Sequence, residues 1–220
     1  MKRGLPHMNY DTIVWDWNGT LFDDVAVCID VMNGLLAEQG LPSIPDAETY
    51  RSLFCFPVIR YYERLGFDFS KTPFEALARD YVAGYAAAQH RAGLCPDVLD
   101  TLDALQNRGV RQAVLSAGEQ SSLRAQMAPF PIASYFSDIL GVSDHYGRSK
   151  RDRAVAWVAE QGLDPRRTLF IGDTVHDFEV ASACGADCIL VTTGHQSGAL
   201  LRATGAPVLH GLRGLMDYLS

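Results

Sequence analysis

Short apolar runs that alternate with helical patterns restrict the fold of this 220-residue chain more than any other feature. The runs that predict strands lie at residues 10–17, 110–115, 139–142, 168–171 and 188–191. Runs this short and this apolar are typical of strands covered on both faces. Strands that are joined through helices pair in parallel. The pattern therefore predicts an α/β fold, a doubly wound parallel sheet with a Rossmann-like core.

Residues 24–93 interrupt this alternation with helical patterns alone. Those patterns cover residues 24–39, 46–65 and 73–89. The simplest organisation is an α/β core domain built from residues 1–23 and 94–220, with a helical unit inserted after the first strand. In the tail that starts at His195 we expect a helix, a short strand and a last helix, without any chemistry.

The bulk composition excludes several classes of partner. The chain carries 26 acidic and 19 basic residues, for a formal net charge of −7, and nucleic-acid backbones need clustered basic residues instead. No apolar stretch approaches the roughly 20 residues that span a bilayer, and the N-terminus lacks the apolar region of a signal peptide. The five cysteines form no C-x-x-C pair, and Cys184 and Cys188 lack partners for a metal site. We expect free thiols, a cytoplasmic location, and neither a membrane nor a nucleic-acid partner.

Polar residues follow three of the predicted strands. Asp16, Ser116 and Asp173 fall just after the apolar runs that end at residues 15, 115 and 171, and Ser116 opens a predicted turn that continues through Ala117 and Gly118. Lys150 lies in a predicted loop before a helix that starts at residue 153. Parallel strands point their carboxyl ends the same way, so these groups are expected to converge on one crevice.

Two carboxylates, a hydroxyl and an ammonium group suit phosphoryl transfer. A carboxylate can attack phosphorus to form an aspartyl phosphate, and Mg²⁺ takes oxygen ligands such as carboxylates. The three negative charges of Asp16, Asp173 and Asp177 would balance the three positive charges of Mg²⁺ and Lys150. Each residue also has a structural interpretation: Asp16 in an Asx turn, Asp173 as a helix N-cap, Ser116 in a turn and Lys150 as a solvated charge. Their joint occurrence at strand ends favours a functional site.

Four motifs give this chain a resemblance to a known family. They are Asp16-Trp17-Asn18-Gly19-Thr20, then Val114-Leu115-Ser116, then Lys150 before a helix, and Gly172-Asp173-Thr174-Val175-His176-Asp177. From about residue 10 to residue 220 the chain resembles the haloacid dehalogenase superfamily of hydrolases, and in particular its phosphoglycolate-phosphatase-like group. The first and fourth motifs are specific, and the other two mean little without them.

The resemblance implies a role for each motif residue. Asp16 would be the nucleophile, and Lys150 would neutralise it and the phosphate. Asp16, the backbone carbonyl of Asn18 and Asp173 would hold Mg²⁺, with Asp177 orienting a metal-bound water. Residues 24–93 would form a cap over a small phosphorylated metabolite. The residues expected to bind the substrate are Thr20, Ser116, Ala117, Gly118 and Arg60.

One motif position departs from the family pattern. Asn18 stands where the family has a second Asp that protonates the leaving oxygen. An amide cannot transfer that proton, and general acid–base catalysis is worth roughly 10²–10⁴-fold. The main prediction is therefore an Mg²⁺-dependent phosphatase that is slow or that favours leaving groups needing little protonation. His176 is a neighbouring acid that would substitute only if it reaches the site.

Two alternatives stay open. One is a phosphonatase- or dehalogenase-like relative, of which the phosphonatase would need a lysine in the insert, where Lys71 is the only one. A dehalogenase would not need the metal-binding carboxylates. The other is a protein that binds a phosphate ligand without turnover. The sequence also leaves open the substrate and the choice between monomer and homodimer.

Overall fold

A computed structural model describes residues 10–142 and 150–219. The strands are β1 (Thr12–Trp15), β2 (Phe22–Asp23), β3 (Gly93–Leu94), β4 (Arg111–Glu119), β5 (Asp138–Val142), β6 (Thr168–Gly172), β7 (Asp187–Val191) and β8 (Val208–Leu209). The helices are α1 (Val25–Glu38), α2 (Ala47–Leu53), α3 (Val58–Leu65), α4 (Phe74–Ala88), α5 (Val98–Asn107), α6 (Gln120–Met127), α7 (Lys150–Glu160), α8 (Val175–Cys184), α9 (Gly198–Ala203) and α10 (Leu215–Tyr218).

Six strands form one parallel sheet in the order β5-β4-β1-β6-β7-β8. The predicted doubly wound α/β fold is thus confirmed. Strand β1 lies between β4 and β6, and its last residue, Trp15, is level with Val114 of β4 and Ile171 of β6. The residues that come after Trp15, Val114 and Ile171 therefore lie side by side at one edge of the sheet.

Alternating side chains of the central strands fill two separate cores. Ile13 and Trp15 of β1 belong to one hydrophobic cluster, which includes Leu102 of α5. Val14 belongs to the cluster on the opposite face, which includes Trp157 of α7. Because successive strand residues point to opposite faces, a strand covered by helices on both sides must be apolar throughout. This explains why β1 is buried along its whole length.

The segment between β2 and β3 is helical and has a hydrophobic core of its own. We call α1 to α4 (residues 25–88) the helical insert. Its core includes Met32, Leu36, Tyr62 and Leu77. At its base, β2 and β3 pair antiparallel as a two-stranded ribbon that the sequence pattern did not predict, because two residues are too few to show an alternation.

Two local predictions were wrong. Ser116, Ala117 and Gly118 form no separate turn but lie within β4, which continues to pair with β5 as far as Glu119 after a register shift. Lys150 is the first residue of α7 rather than a loop residue, because the charged first turn of this helix carries no apolar periodicity. Residues 147–149, which precede Lys150 in the third motif, lie outside the described residues.

The composition-based predictions concern thiols and membranes. All five cysteines are free, as predicted, and Cys28, Cys95 and Cys188 are buried. No helix within residues 10–142 or 150–219 combines the length and hydropathy that a bilayer crossing requires.

Candidate active site

A cavity of about 300 Å³ separates the carboxyl edge of the sheet from the helical insert. The sheet side of its lining contains most of the side chains singled out in the sequence. These are Asp16, Asn18, Ser116, Ala117, Gly118, Lys150, Asp173 and Asp177. The four residues that were expected to converge on one crevice, which are Asp16, Ser116, Lys150 and Asp173, all line this cavity.

Three carboxylates and one ammonium group form the centre of the site. Lys150 Nζ donates to Asp16 Oδ1 and, over 2.5 Å, to Asp177 Oδ1. Carboxylate oxygens of Asp16, Asp173 and Asp177 all lie within 4.8 Å of one another. Lys150 is only 6% exposed, so these charges interact with little screening by solvent.

The pKa values show that Lys150 alone does not balance this cluster. Burial, reinforced by Asp177 and Asp173, raises the pKa of Asp16 well above its usual value despite the neighbouring Lys150. Burial also raises the pKa of Asp173 to about 6, with Asp177 adding to the effect. Burial opposes ionisation of Asp177 too, but Lys150 outweighs it and lowers that pKa. Lys150 alone therefore does not keep all three carboxyl groups ionised.

The chemistry of these donors fits Mg²⁺. Carboxylate oxygens are the ligands that this hard cation prefers, and a divalent ion would supply the missing positive charge. Glycines allow the chain to pass close to Asp173, since a Cβ at Gly19 or Gly194 would lie only 2.5 or 2.0 Å from Asp173 Oδ2. Gly19 also has a φ of +76°, a backbone conformation that favours glycine.

Neighbouring hydroxyls and amides orient the carboxylates. Thr20 Oγ1 donates to Asp173 Oδ1 over 3.2 Å, so this fully buried residue holds a carboxylate and does not line the cavity, contrary to its predicted place at the substrate. Thr174 donates to Asp177 through its amide (3.0 Å) and its hydroxyl (2.7 Å). Thr174, not Asp173, is therefore the N-cap of α8, which removes the structural interpretation of Asp173.

Two residues of the insert with predicted roles lie away from the cavity. Arg60 is on the outer face of α3, exposed and paired with Glu63 over 2.8 Å, whereas the next residue, Tyr61, faces inward to the cavity. Adjacent helix positions point in different directions, so Arg60 lies outside this cavity lining and its position gives no support to the predicted role at the substrate. Lys71 is 79% exposed along its side chain and pairs with Asp68 over 3.5 Å.

The amide of Asn18 belongs to a hydrogen-bond network that the sequence did not reveal. Asn18 Nδ2 donates to Asp24 Oδ2 (2.8 Å) and contacts the Tyr85 hydroxyl (2.9 Å). The Tyr85 hydroxyl donates to Asp24 Oδ2 over 2.6 Å, and the Gly19 amide donates to Asp24 Oδ1 over 3.1 Å. A carboxylate thus stands next to the position where the family motif would place one.

His195 completes this network from the opposite end of the chain. Its Nε2 lies 3.2 Å from Asp24 Oδ1, its Nδ1 lies 2.9 Å from the Tyr50 hydroxyl, and its backbone amide donates to Asp173. The expectation that the tail starting at His195 has no chemistry was therefore wrong. The missed signal was available, because Gly194 and His195 follow β7 at the same sheet edge as Asp173.

Asp24 and His195 form a buried ion pair. Burial favours neutral imidazole, but the neighbouring Asp24 outweighs it and raises the pKa of His195 to about 9. Burial likewise opposes ionisation of Asp24, whose pKa is nevertheless lowered, chiefly by His195. The pair stays charged at neutral pH.

This pair predicts a pH-dependent stability. The folded-state pKa of His195 lies above its unfolded value of about 6.5, so its contribution is complete below pH 6.5 and is lost as pH rises through 9. Between pH 6.5 and pH 9, we expect the loss of this ion pair to lower the free energy of unfolding by about 3 kcal/mol, to order of magnitude. Urea unfolding at pH 6 and pH 9.5 measures the fall. Asp24→Asn and His195→Gln should both reduce it, and an unchanged fall in both variants would contradict the assignment.

Comparisons with known proteins identify the family. The family model for haloacid dehalogenase-like hydrolases matches residues 13–191, most of the chain. The chain belongs to this family. The resemblance found in the sequence motifs is thereby confirmed.

Several individual proteins are similar to this chain in sequence or in structure. A phosphoglycolate phosphatase of Pseudomonas putida is 26% identical over 213 residues, covering 93% of this chain and 78% of the relative. A phosphoglycolate phosphatase of Escherichia coli is 28% identical over 124 residues, which are 56% of this chain and 49% of that relative, so the match spans about half its length. A haloacid dehalogenase-like family protein from Streptococcus pneumoniae superposes with a TM-score of 0.83 at 21% identity, over 96% of this chain and 99% of that one. At this identity the superposition shows a shared fold.

Proposed function

We propose that this member of the haloacid dehalogenase-like family is an Mg²⁺-dependent phosphatase that hydrolyses a small phosphate monoester through an aspartyl phosphate on Asp16. The observation that carries the proposal is the position of Asp16. Its carboxylate follows the central strand, contacts Lys150 and faces the cavity beside Asp173 and Asp177. The relatives named phosphoglycolate phosphatase support the reaction class.

The metal would be held by Asp16, the backbone carbonyl of Asn18 and Asp173, with Asp177 close by. When bound, Mg²⁺ supplies positive charge to the phosphoryl oxygens. Asp16 would attack phosphorus, while Lys150 favours the ionised form of Asp16 against the effect of burial and neutralises part of the charge that develops. Ser116 and the backbone amides beside it offer hydrogen bonds to the phosphoryl oxygens at the cavity wall.

The helical insert would act as a cap, as predicted for residues 24–93 against a core of residues 1–23 and 94–220. Its tyrosines and phenylalanines form the cavity wall that faces the carboxylates. A cap excludes water and supplies the contacts that select a substrate. A cytoplasmic location and a monomeric or homodimeric state stay predictions.

Proton transfer to the leaving group is where this protein would differ from its relatives. Asn18 donates its amide hydrogens and carries no acidic proton. His176 lines the cavity, with its ring 5.2 Å from that of Phe56 and its Nδ1 3.3 Å from Glu179 Oε2. Among the described lining residues there are two histidines, and the other one, His195, is paired with Asp24. We propose slow turnover of esters whose leaving oxygen needs a proton.

The alternatives have less support. A phosphonatase needs an insert lysine in the cavity, and Lys71 lies exposed on the surface. A dehalogenase has no use for the carboxylate cluster that here fits a divalent cation. A binder without turnover remains consistent with Asn18, and the assay below distinguishes it.

The proposal is tested with a panel of phosphate esters, including p-nitrophenyl phosphate, assayed with Mg²⁺ and with a chelator. We expect phosphate release only with Mg²⁺ and its loss in Asp173→Asn. Equal release with and without the metal would contradict the metal requirement. Binding of phosphate compounds without release of phosphate would instead favour the non-catalytic alternative.

A further inference from the structure

We propose that the substrate is an aryl phosphate, a phosphate monoester whose alcohol part is an uncharged aromatic ring. This inference rests on the proposed phosphatase function and specifies its substrate class. Two independent observations lead to it: the aromatic wall of the cavity, whose described residues offer no free cation, and the hydrogen-bond network beside Asn18, in which Asp24 and His195 are already engaged.

The wall that the helical insert presents to the cavity is largely aromatic. Tyr50, Phe54, Phe56, Tyr61 and Tyr85 all contribute to it. The Phe54 ring packs edge-on against Phe56 (centroids 5.4 Å apart, interplanar angle 82°) and against Tyr61 at 5.3 Å. Phe56 is 40% exposed, so one edge of this aromatic group stays open. Aromatic rings prefer stacked or edge-to-face neighbours, which a substrate ring would supply.

The described part of the cavity wall offers no free cation to an acidic substituent. Lys150 is held by Asp16 and Asp177, and His195 is held by Asp24. Arg51, which follows Tyr50 in the sequence, donates to the backbone carbonyls of Thr193 and Gly194 instead. A carboxylate on the alcohol part of the substrate would lie near Asp24 without a partner, and an unpaired buried charge is costly. The wall therefore selects against small phosphorylated acids.

Hydrogen bonding also restricts the leaving group. Asp24 accepts from Asn18, Gly19 and Tyr85 and pairs with His195, so it has no proton to donate. Both ring nitrogens of His195 are engaged, by Asp24 and by Tyr50. This network therefore supplies no proton to the leaving oxygen, which would depart as an anion. A phenol has a pKa of about 10, well below the pKa of an alkyl alcohol, so an aryloxide leaves far more easily.

The reaction balances without a protein acid. A carboxylate oxygen of Asp16 forms a bond to phosphorus while the bond between phosphorus and the aryl oxygen breaks. The aryloxide leaves with that electron pair and takes a proton from solvent. A water oxygen then bonds to phosphorus, Asp16 recovers its carboxylate with the electron pair of its broken bond, and the protons of the water pass to phosphate and solvent. The net products are a phenol and inorganic phosphate.

The test compares kcat/KM for three esters under saturating Mg²⁺: phenyl phosphate, cyclohexyl phosphate and phosphoglycolate. Cyclohexyl phosphate matches the size of the ring but has a poor leaving group, and phosphoglycolate adds a carboxylate. We expect phenyl phosphate to exceed both by about 10²-fold or more, the lower end of what a missing general acid costs a poor leaving group. Phe54→Leu should raise KM for phenyl phosphate severalfold. Val82→Ala, at an exposed apolar position of α4 outside the cavity lining, is the matched control and should change nothing.

The outcomes separate this inference from the proposed function. Phosphoglycolate turned over faster than phenyl phosphate would overturn the aryl class and leave the phosphatase intact. Equal rates for cyclohexyl and phenyl phosphate would overturn it as well. If no ester is hydrolysed, the proposed function fails, and calorimetry with phenylphosphonate against phosphonoacetate decides the ligand class. Tighter binding of phenylphosphonate than of phosphonoacetate would support the aromatic ligand class, and equal or weaker binding would overturn it.

Discussion

Asp16→Asn is expected to reduce phosphate release by about 10⁴-fold or more, since removal of a nucleophile that acts within a catalytic unit costs at least this much. The amide keeps the shape of the side chain at the end of β1 but cannot attack phosphorus. Steady-state phosphate release measures the loss. Borohydride reduction of the quenched wild-type enzyme during turnover should convert the acyl phosphate at Asp16 to homoserine, which mass spectrometry detects.

Asp23→Asn is the matched control for this experiment. Asp23 is an exposed carboxylate in β2, seven positions after Asp16 and outside the cavity lining. We expect it to keep wild-type activity. Full activity in Asp16→Asn, or a homoserine at any other aspartate, would place the nucleophile elsewhere.

Asn18→Asp is expected to raise the turnover of alkyl phosphates by about 10²-fold, while aryl phosphates gain little, because only the alkyl leaving group needs a proton. The new carboxyl group would stand next to Asp24, which lies 2.8 Å from the Asn18 amide. Two carboxylates this close cannot both ionise easily, so one holds a proton near neutral pH. That proton is the one a leaving alkoxide requires. Rates for matched alkyl and aryl esters measure the effect.

Two further variants complete this experiment. Asn18→Ala removes the hydrogen bond to Asp24 without adding an acid and should raise neither rate. His176→Gln tests whether the histidine at the cavity wall already serves as the acid, in which case alkyl rates fall in the variant. An equal gain for alkyl and aryl esters in Asn18→Asp would contradict the role assigned to position 18.

Most of the fold could be predicted from the local pattern of apolar residues in the sequence. Each buried strand is a short apolar run because helices cover both faces of the sheet, and the turn or glycine after it is visible in the sequence. The predictions were wrong or incomplete where a strand is not a short apolar run. The small residues Ser116 to Gly118 resemble a turn, yet pairing with β5 keeps them in β4. Two-residue strands such as β2 and β3 are too short to leave a pattern.

The candidate site also contains features that the sequence predicts and features that it does not predict. The convergence of Asp16, Ser116 and Asp173 was predictable because the parallel strands β1, β4 and β6 run side by side toward the same edge of the sheet. Three other features of the site could not be predicted from the sequence. They are the contacts of Lys150 with Asp16 and Asp177, the hydrogen bond from Thr20 to Asp173, and the outward direction of Arg60. These depend on the direction of a side chain within packed elements, which spacing along the chain does not encode.

The amino-acid sequence alone specified a parallel α/β core, an inserted helical segment, and acidic and hydroxyl groups gathered after separate strands, because all three follow from periodicity and strand direction. Packing in three dimensions set the rest: the buried pair of Asp24 and His195 beside Asn18, and the aromatic wall that the insert turns toward the carboxylates. These arise between residues far apart in the chain. Their contacts depend on how two separately packed cores meet, and no local pattern carries that information.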